Sequence, residues 1–98
     1  HPNLKSHPSH SLATRYLRLP PATFSFELQS EAQAKALAKS LFLCSEATSL
    51  GGVETLIDWR YRYDTTVSPS LLRISVGVEE PDDIIEDFRQ ALKSIKGC

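Results

Sequence analysis

The chain has 98 residues with 11 Lys and Arg against 12 Asp and Glu, a formal charge of -1, and 41% hydrophobic residues. That is the size of one small domain, too short to hold a second catalytic domain, and its charge balance lacks the basic excess that nucleic acid or an anionic membrane demands. No apolar run approaches the ~20 residues of a membrane helix, and two cysteines, Cys44 and Cys98, do not make a disulfide framework.

Residues 1–8 hold two prolines, two histidines, an asparagine and a serine and read as a linker entering the domain. They lack the apolar core of a signal peptide, so a cytoplasmic address is the expectation. From Ser9, with Ser9 or Ser11 as cap, Leu12, Tyr16 and Leu19 predict a short helix that Pro20 and Pro21 stop. Residues 23–28 alternate strictly and place Phe24, Phe26 and Leu28 on one side of a strand. The period then changes: Ser30 and Gln33 form a capping box, and Ala34, Leu37, Ala38 and Leu41 make the stripe of a helix over 30–41.

Residues 42–44 are a short apolar run and predict a strand, with Cys44 as a buried thiol. The chain then enters Thr48-Ser49-Leu50-Gly51-Gly52, where glycine lets the backbone turn tightly and approach a ligand, and a second strand is expected over 53–57. The segment from Asp58 to Pro69 reads as a loop whose aromatic run, Trp59, Tyr61 and Tyr63, fits an exposed edge strand or a subunit contact. Residues 72–78 form the clearest strand after it, with Leu72, Ile74, Val76 and Val78 on one face and Arg73, Ser75 and Gly77 on the other. Glu80, Pro81, Asp82 and Asp83 start a last helix, whose apolar stripe is Ile84, Ile85, Phe88, Leu92 and Ile95 and which Gly97 ends. The order α, β, α, β, β, β, α predicts an α/β domain of the α+β type, a small open, mostly antiparallel sheet of about four strands with helices packed on one face.

Arg73 carries the chemistry: a lone strand arginine offers a planar fork for a carboxylate or phosphate beside a turn that binds by backbone. The bland alternative is a surface arginine paired with Glu27 or Glu54. His1, His7 and His10 share a proline-broken stretch without nearby carboxylates and are assigned no metal. The acidic run from Glu79 to Asp87 lacks the alternate-oxygen spacing of a calcium loop and reads as a solvated helix start.

The ordered motifs Ser49-Leu50-Gly51-Gly52-Val53-Glu54-Thr55-Leu56 and Leu72-Arg73-Ile74-Ser75-Val76-Gly77-Val78-Glu79 resemble those of the C-terminal domain of the pyridoxal-phosphate enzymes of cysteine and methionine metabolism, the cystathionine γ-synthases, β-lyases and γ-lyases. His7-Pro8-Ser9-His10 and the strand at Phe24 to Leu28 match the start of that domain, so the likeness covers nearly all of residues 1–98. It implies that Arg73 binds the substrate α-carboxylate, that Ser49 lies beside the cofactor and helps place the substrate, and that Thr48 meets the distal side chain. Many members carry a glutamate at the position of Thr48, and the loop at Asp58 is shorter than in many. Pyridoxal 5'-phosphate, its lysine and its phosphate loop are implied to belong to a large domain in the same or a companion chain. None of Lys5, Lys35, Lys39, Lys93 and Lys96 has the surroundings of a Schiff-base lysine, so no catalysis is expected from these residues alone. A homo-oligomer, commonly a tetramer, and an amino-acid substrate are implied partners. The alternative is a stand-alone binding or assembly module derived from such an enzyme.

Overall fold

The computed structural model describes residues 1–96, in the order α1 (His10–Tyr16), β1 (Thr23–Glu27), α2 (Glu31–Ser40), β2 (Ser45–Glu46), β3 (Leu56–Trp59), a 3-10 turn (Arg60–Arg62), β4 (Leu71–Ser75) and α3 (Pro81–Ser94). The helix ending assigned to Gly97, and Cys98, lie outside the described residues. The four strands make one open sheet in the order β1-β4-β3-β2. β4 pairs antiparallel with β1 and β3, and β2 pairs parallel with β3, so the sheet is mixed, as the expected α/β class allows.

Register sorts the side chains. Directly paired residues share a face, so Phe24, Ile74 and Ile57 point one way and Ser25, Arg73 and Asp58 the other. The first face meets α2 and α3 in a core of Ala34, Leu37, Ala38, Ile57, Leu72, Ile74, Ala91 and Ile95. Leu37, Ile57 and Leu72 are fully buried, each contributing about 1.5–3 kcal/mol of transfer free energy. The second face is polar, with Thr23 and Ser75 paired beside the Ser25, Arg73 and Asp58 row.

α2 forms as its sequence predicts. Ser30 Oγ accepts the Gln33 N–H at 3.2 Å, while the Gln33 side chain accepts the Gln29 N–H at 3.1 Å, one residue earlier than a strict capping box requires. α1 is shorter than expected: Leu17 is already extended, Ser9 makes no side-chain cap bond, and Leu12, Tyr16 and Leu19 are exposed. Its narrow apolar face is left unburied, which removes the packing that would have carried a further turn.

Three strand boundaries differ from expectation. Residues 42–44 are not a strand; their N–H groups turn to a side chain of α3, and Phe42 is 88% exposed. β3 begins at Leu56, not at 53, because residues 51–54 are consumed in the turn, and it continues through Asp58 and Trp59, where the sequence predicts a loop. Trp59 thus ends an interior strand, and residues 60–62 curl into a 3-10 turn in place of an edge strand. β4 ends at Ser75; Val78 is 79% exposed and not on the core face.

Candidate functional site

β2 and β3 are parallel neighbours joined only by residues 47–55, so this connection must leave the sheet and return to the same end of it. α2 and α3 occupy one face, and the loop crosses the other, over the polar side chains of β4. Two contacts fix it there. Arg73 Nη2 donates to the Thr48 carbonyl at 2.5 Å, and Ser75 Oγ accepts the Gly51 N–H at 2.8 Å. Ser75, predicted to face away from the core, is 2% exposed because the loop covers it. Thr23 Oγ1 donates to Ser75 Oγ at 3.3 Å and completes the support from β1.

The turn needs glycine at one position. Gly51 has φ +76°, a left-handed conformation that costs an ordinary residue about 1–2 kcal/mol. Thr48, Ser49 and Leu50 are exposed around it, so the backbone edge of the turn faces solvent.

The far end of the loop is strapped to the chain that follows β4. Val78 donates its N–H to the Val53 carbonyl at 2.9 Å, and Gly77 donates to Thr55 Oγ1 at 2.9 Å. Thr55 in turn gives its N–H and its hydroxyl to Glu79, at 2.8 and 2.6 Å. Those bonds, the Thr55 hydroxyl first, hold the Glu79 carboxyl below its ordinary pKa. The strap passes so close that a Cβ on Gly77 would lie 2.2 Å from the Val53 carbonyl oxygen.

The acidic partner of Arg73 is neither of the two glutamates the sequence offered. Arg73 faces neither Glu27 nor Glu54; it lies opposite Asp58 in the β3–β4 register, with Nη2 3.7 Å from Asp58 Oδ2. Asp58 is 4% exposed, and its Oδ2 accepts Arg60 Nη1 at 2.6 Å. One buried carboxylate therefore stands between two guanidinium groups, and a net positive charge remains beside the turn. Arg73 spends one N–H on Thr48, and its remaining donors suit a carboxylate in the same plane.

The structure thus brings Arg73 to the backbone of Thr48, with Ser49 the next residue of the exposed turn. It also adds Asp58 and Arg60, which the sequence pattern puts in a loop without a recognisable motif. Their signal was faint: an aspartate alternating with Leu56, then an arginine two residues on.

Asp87 was also missed. The sequence pattern reads it as part of a solvated acidic run, yet it is 6% exposed and accepts the N–H groups of Phe42, Leu43 and Cys44 at 2.8, 2.8 and 2.9 Å. The sequence did carry a hint, since Asp87 falls one turn before buried Ala91, on the apolar side of α3. Cys44 is buried as expected, and burial, with the neighbouring Asp87, pushes its thiol up to about 12.

Among the described residues, no helix is long and apolar enough to cross a membrane. Apolar surface is nevertheless uncovered around the loop, where Leu50, Val53 and Val78 are more than half exposed. A second apolar groove runs between β1 and α3, lined by Phe24, Phe26, Val76, Ile84 and Phe88.

The family model described as Cys/Met metabolism PLP-dependent enzyme matches residues 1–93. The chain is 38% identical to the L-methionine gamma-lyase of Porphyromonas gingivalis, over 96% of this chain and 27% of that protein. It is 37% identical to the cystathionine gamma-lyase of Mus musculus, over the same two shares. Among solved structures, metB from Corynebacterium glutamicum superposes with a TM-score of 0.90 at 32% identity, covering 96% of this chain and 27% of that one. The chain spans about a quarter of the length of the curated relatives it matches.

Proposed function

Because the chain belongs to the Cys/Met metabolism PLP-dependent enzyme family, matched over residues 1–93, we propose that residues 1–98 are the C-terminal substrate-binding domain of such an enzyme. In this reading the domain recognises the α-carboxylate of a sulfur amino acid, or of an activated homoserine or serine precursor. Arg73 supplies the charged fork, Ser49 at the exposed turn orients the carboxylate and amine, and Thr48 faces the distal side chain. The observation that carries the reading is the bond from Arg73 to the Thr48 carbonyl, which ties the guanidinium to the glycine turn and fixes its direction before a ligand arrives.

Pyridoxal phosphate, when bound, supplies the electron sink for breaking or making bonds at the amino acid. The residues of this chain fit the substrate half of such a site. Lys5, Lys35, Lys39, Lys93 and Lys96 are all exposed, and Lys35 lies over the Trp59 ring at 5.0 Å, so none offers the enclosed amine that a Schiff base needs. The lysine and the phosphate contacts would come from a large domain in the same or a companion chain. The exposed Leu50, Val53 and Val78 beside the turn support that arrangement over a stand-alone module, because an independent domain would present a polar surface there. Assembly into a homo-oligomer, a tetramer by resemblance, and a cytoplasmic address belong to the same proposal.

The test is Arg73→Ala in the full-length enzyme. The expected result is a KM for the amino-acid substrate raised about a hundredfold with the cofactor's visible absorbance band retained. An unchanged KM would remove Arg73 from the site.

A further inference from the structure

The arrangement around Asp58 assigns a task to a residue that does not touch the substrate. We propose that Arg60 is a positioning residue of the carboxylate site: by occupying Asp58, it keeps the charge of Arg73 available to an anionic ligand. This rests on the reading of Arg73 given above.

Asp58 sets the charge balance here. A carboxylate that is 4% exposed requires a counter-ion, and two arginines reach the same oxygen, Oδ2. They do so unequally. Arg60 Nη1 is at 2.6 Å, a full charge-assisted hydrogen bond, while Arg73 Nη2 is at 3.7 Å, beyond hydrogen-bond length. Asp58 is thus satisfied by Arg60, and Arg73 is held by the neutral carbonyl of Thr48 instead.

Local structure enforces this division. Arg60 opens the 3-10 turn directly after β3, and its carbonyl accepts the N–H groups of Tyr63 and Asp64 at 3.0 and 2.9 Å. The turn curls its side chain back onto the residue two positions earlier. The β3–β4 register keeps Arg73 and Asp58 opposite each other. Without Arg60, the buried aspartate would have Arg73 as its nearest cation. The guanidinium would close on Asp58, and an incoming carboxylate would have to displace an internal ion pair before it could bind.

The experiment is calorimetric titration of the full-length, cofactor-loaded enzyme with L-norvaline, an amino acid without a leaving group. Arg60→Gln is expected to weaken norvaline about tenfold or more, and Arg60→Lys, which keeps the charge, less than about threefold. The double variant Asp58→Asn/Arg60→Gln returns to within about threefold of the parent, because no anion is left to capture Arg73. Asp58→Asn alone keeps or tightens the affinity. Butylamine, which is norvaline without its carboxylate, binds the parent and Arg60→Gln equally.

An Arg60→Gln enzyme that binds norvaline like the parent overturns the inference, and so does a double variant as weak as the single one. A merely structural Arg60 gives the latter result, since removing Asp58 as well would not repair a damaged turn. Should Arg60→Gln fail to fold, Arg60→Met takes its place in the same titration: a parent-like affinity overturns the inference, and a loss of about tenfold that adding Asp58→Asn repairs upholds it. Arg73→Gln in the same titration separates the two readings. If it leaves norvaline binding intact, the carboxylate site itself is wrongly placed; if it weakens binding and Arg60→Gln does not, only the role of Arg60 falls.

Discussion

Asp87, in the middle of α3, accepts the backbone N–H of Cys44 at 2.9 Å across 43 residues of chain. Phe42 and Leu43 donate to the same carboxylate, and the Gln90 amide adds a bond at 3.0 Å. The helix side chain therefore does for 42–44 what a neighbouring strand would have done, and it delivers the chain into β2 and the functional loop.

Replacing Asp87 by Ala orphans three backbone donors, one of them fully buried, and is expected to cost about 2–4 kcal/mol. Urea unfolding of the variant beside the parent measures it. A cost below about 0.5 kcal/mol would mean that water replaces the carboxylate without penalty.

The same residue sets a pH dependence. Burial works to raise the Asp87 pKa, but the N–H groups of Phe42, Cys44 and Leu43 and the Gln90 amide outweigh it, and the group sits below its ordinary value. A depressed folded pKa means that the contribution is fully present above the unfolded value of about 3.9 and is lost as pH falls through the folded one. The stability gap between the parent and Asp87→Asn should therefore narrow as pH drops from about 5 toward about 2. A gap constant over that range would show that ionisation of Asp87 is not what stabilises the segment.

The three glycines of the site should respond in a fixed order. Gly77→Ala places a methyl 2.2 Å from the Val53 carbonyl and 2.6 Å from the Glu54 carbonyl carbon, so backbone must shift, at about 2–4 kcal/mol. Gly51→Ala has open space but φ +76°, and costs about 1–2 kcal/mol. Gly52→Ala meets nothing within 4 Å and should be nearly neutral. Thermal melting of the three variants checks the order, and a tolerated Gly77→Ala would contradict the close strap between residues 53–55 and 77–79.

Cys44 should resist alkylation. With its thiol pushed up to about 12, almost none is thiolate at pH 8, and the side chain is 4% exposed. Peptide mass spectrometry after iodoacetamide treatment should find Cys44 unlabelled in native protein and labelled in urea. Rapid native labelling would mean that residues 42–44 detach from Asp87 without global unfolding.

Trp59 donates its indole N–H to the Pro69 carbonyl at 2.7 Å, closing the segment between β3 and β4. Trp59→Phe removes that donor and is expected to cost about 1–2 kcal/mol while leaving Asp58 in register. Hydrogen exchange should rise between 60 and 69 and stay unchanged in β4; a rise confined to β4 would place the role of Trp59 elsewhere.

Much of the fold was legible because side-chain period reports local geometry. The alternation around Phe24 and Phe26, the Ala34 to Ala38 stripe and the Pro81 start each correspond to an observed element. The apolar run at 42–44 misled for a physical reason: hydrophobicity does not say where backbone N–H groups find acceptors, and here they find a helix carboxylate. Val53 misled in the same way, its place in the turn being fixed by the bond its carbonyl accepts from Val78.

The sequence by itself determined β1, α2, the core of β4, the start of α3, the glycine at the turn and the presence of one strand arginine facing away from the core, since each depends on residues near one another in the chain. Only the tertiary structure decided what surrounds that arginine. The parallel β2–β3 pairing throws residues 47–55 across the polar face, and the β3–β4 register sets Asp58 opposite Arg73. Strand order and register arise from packing of the whole sheet, so charges distant in sequence become neighbours that no local pattern announces.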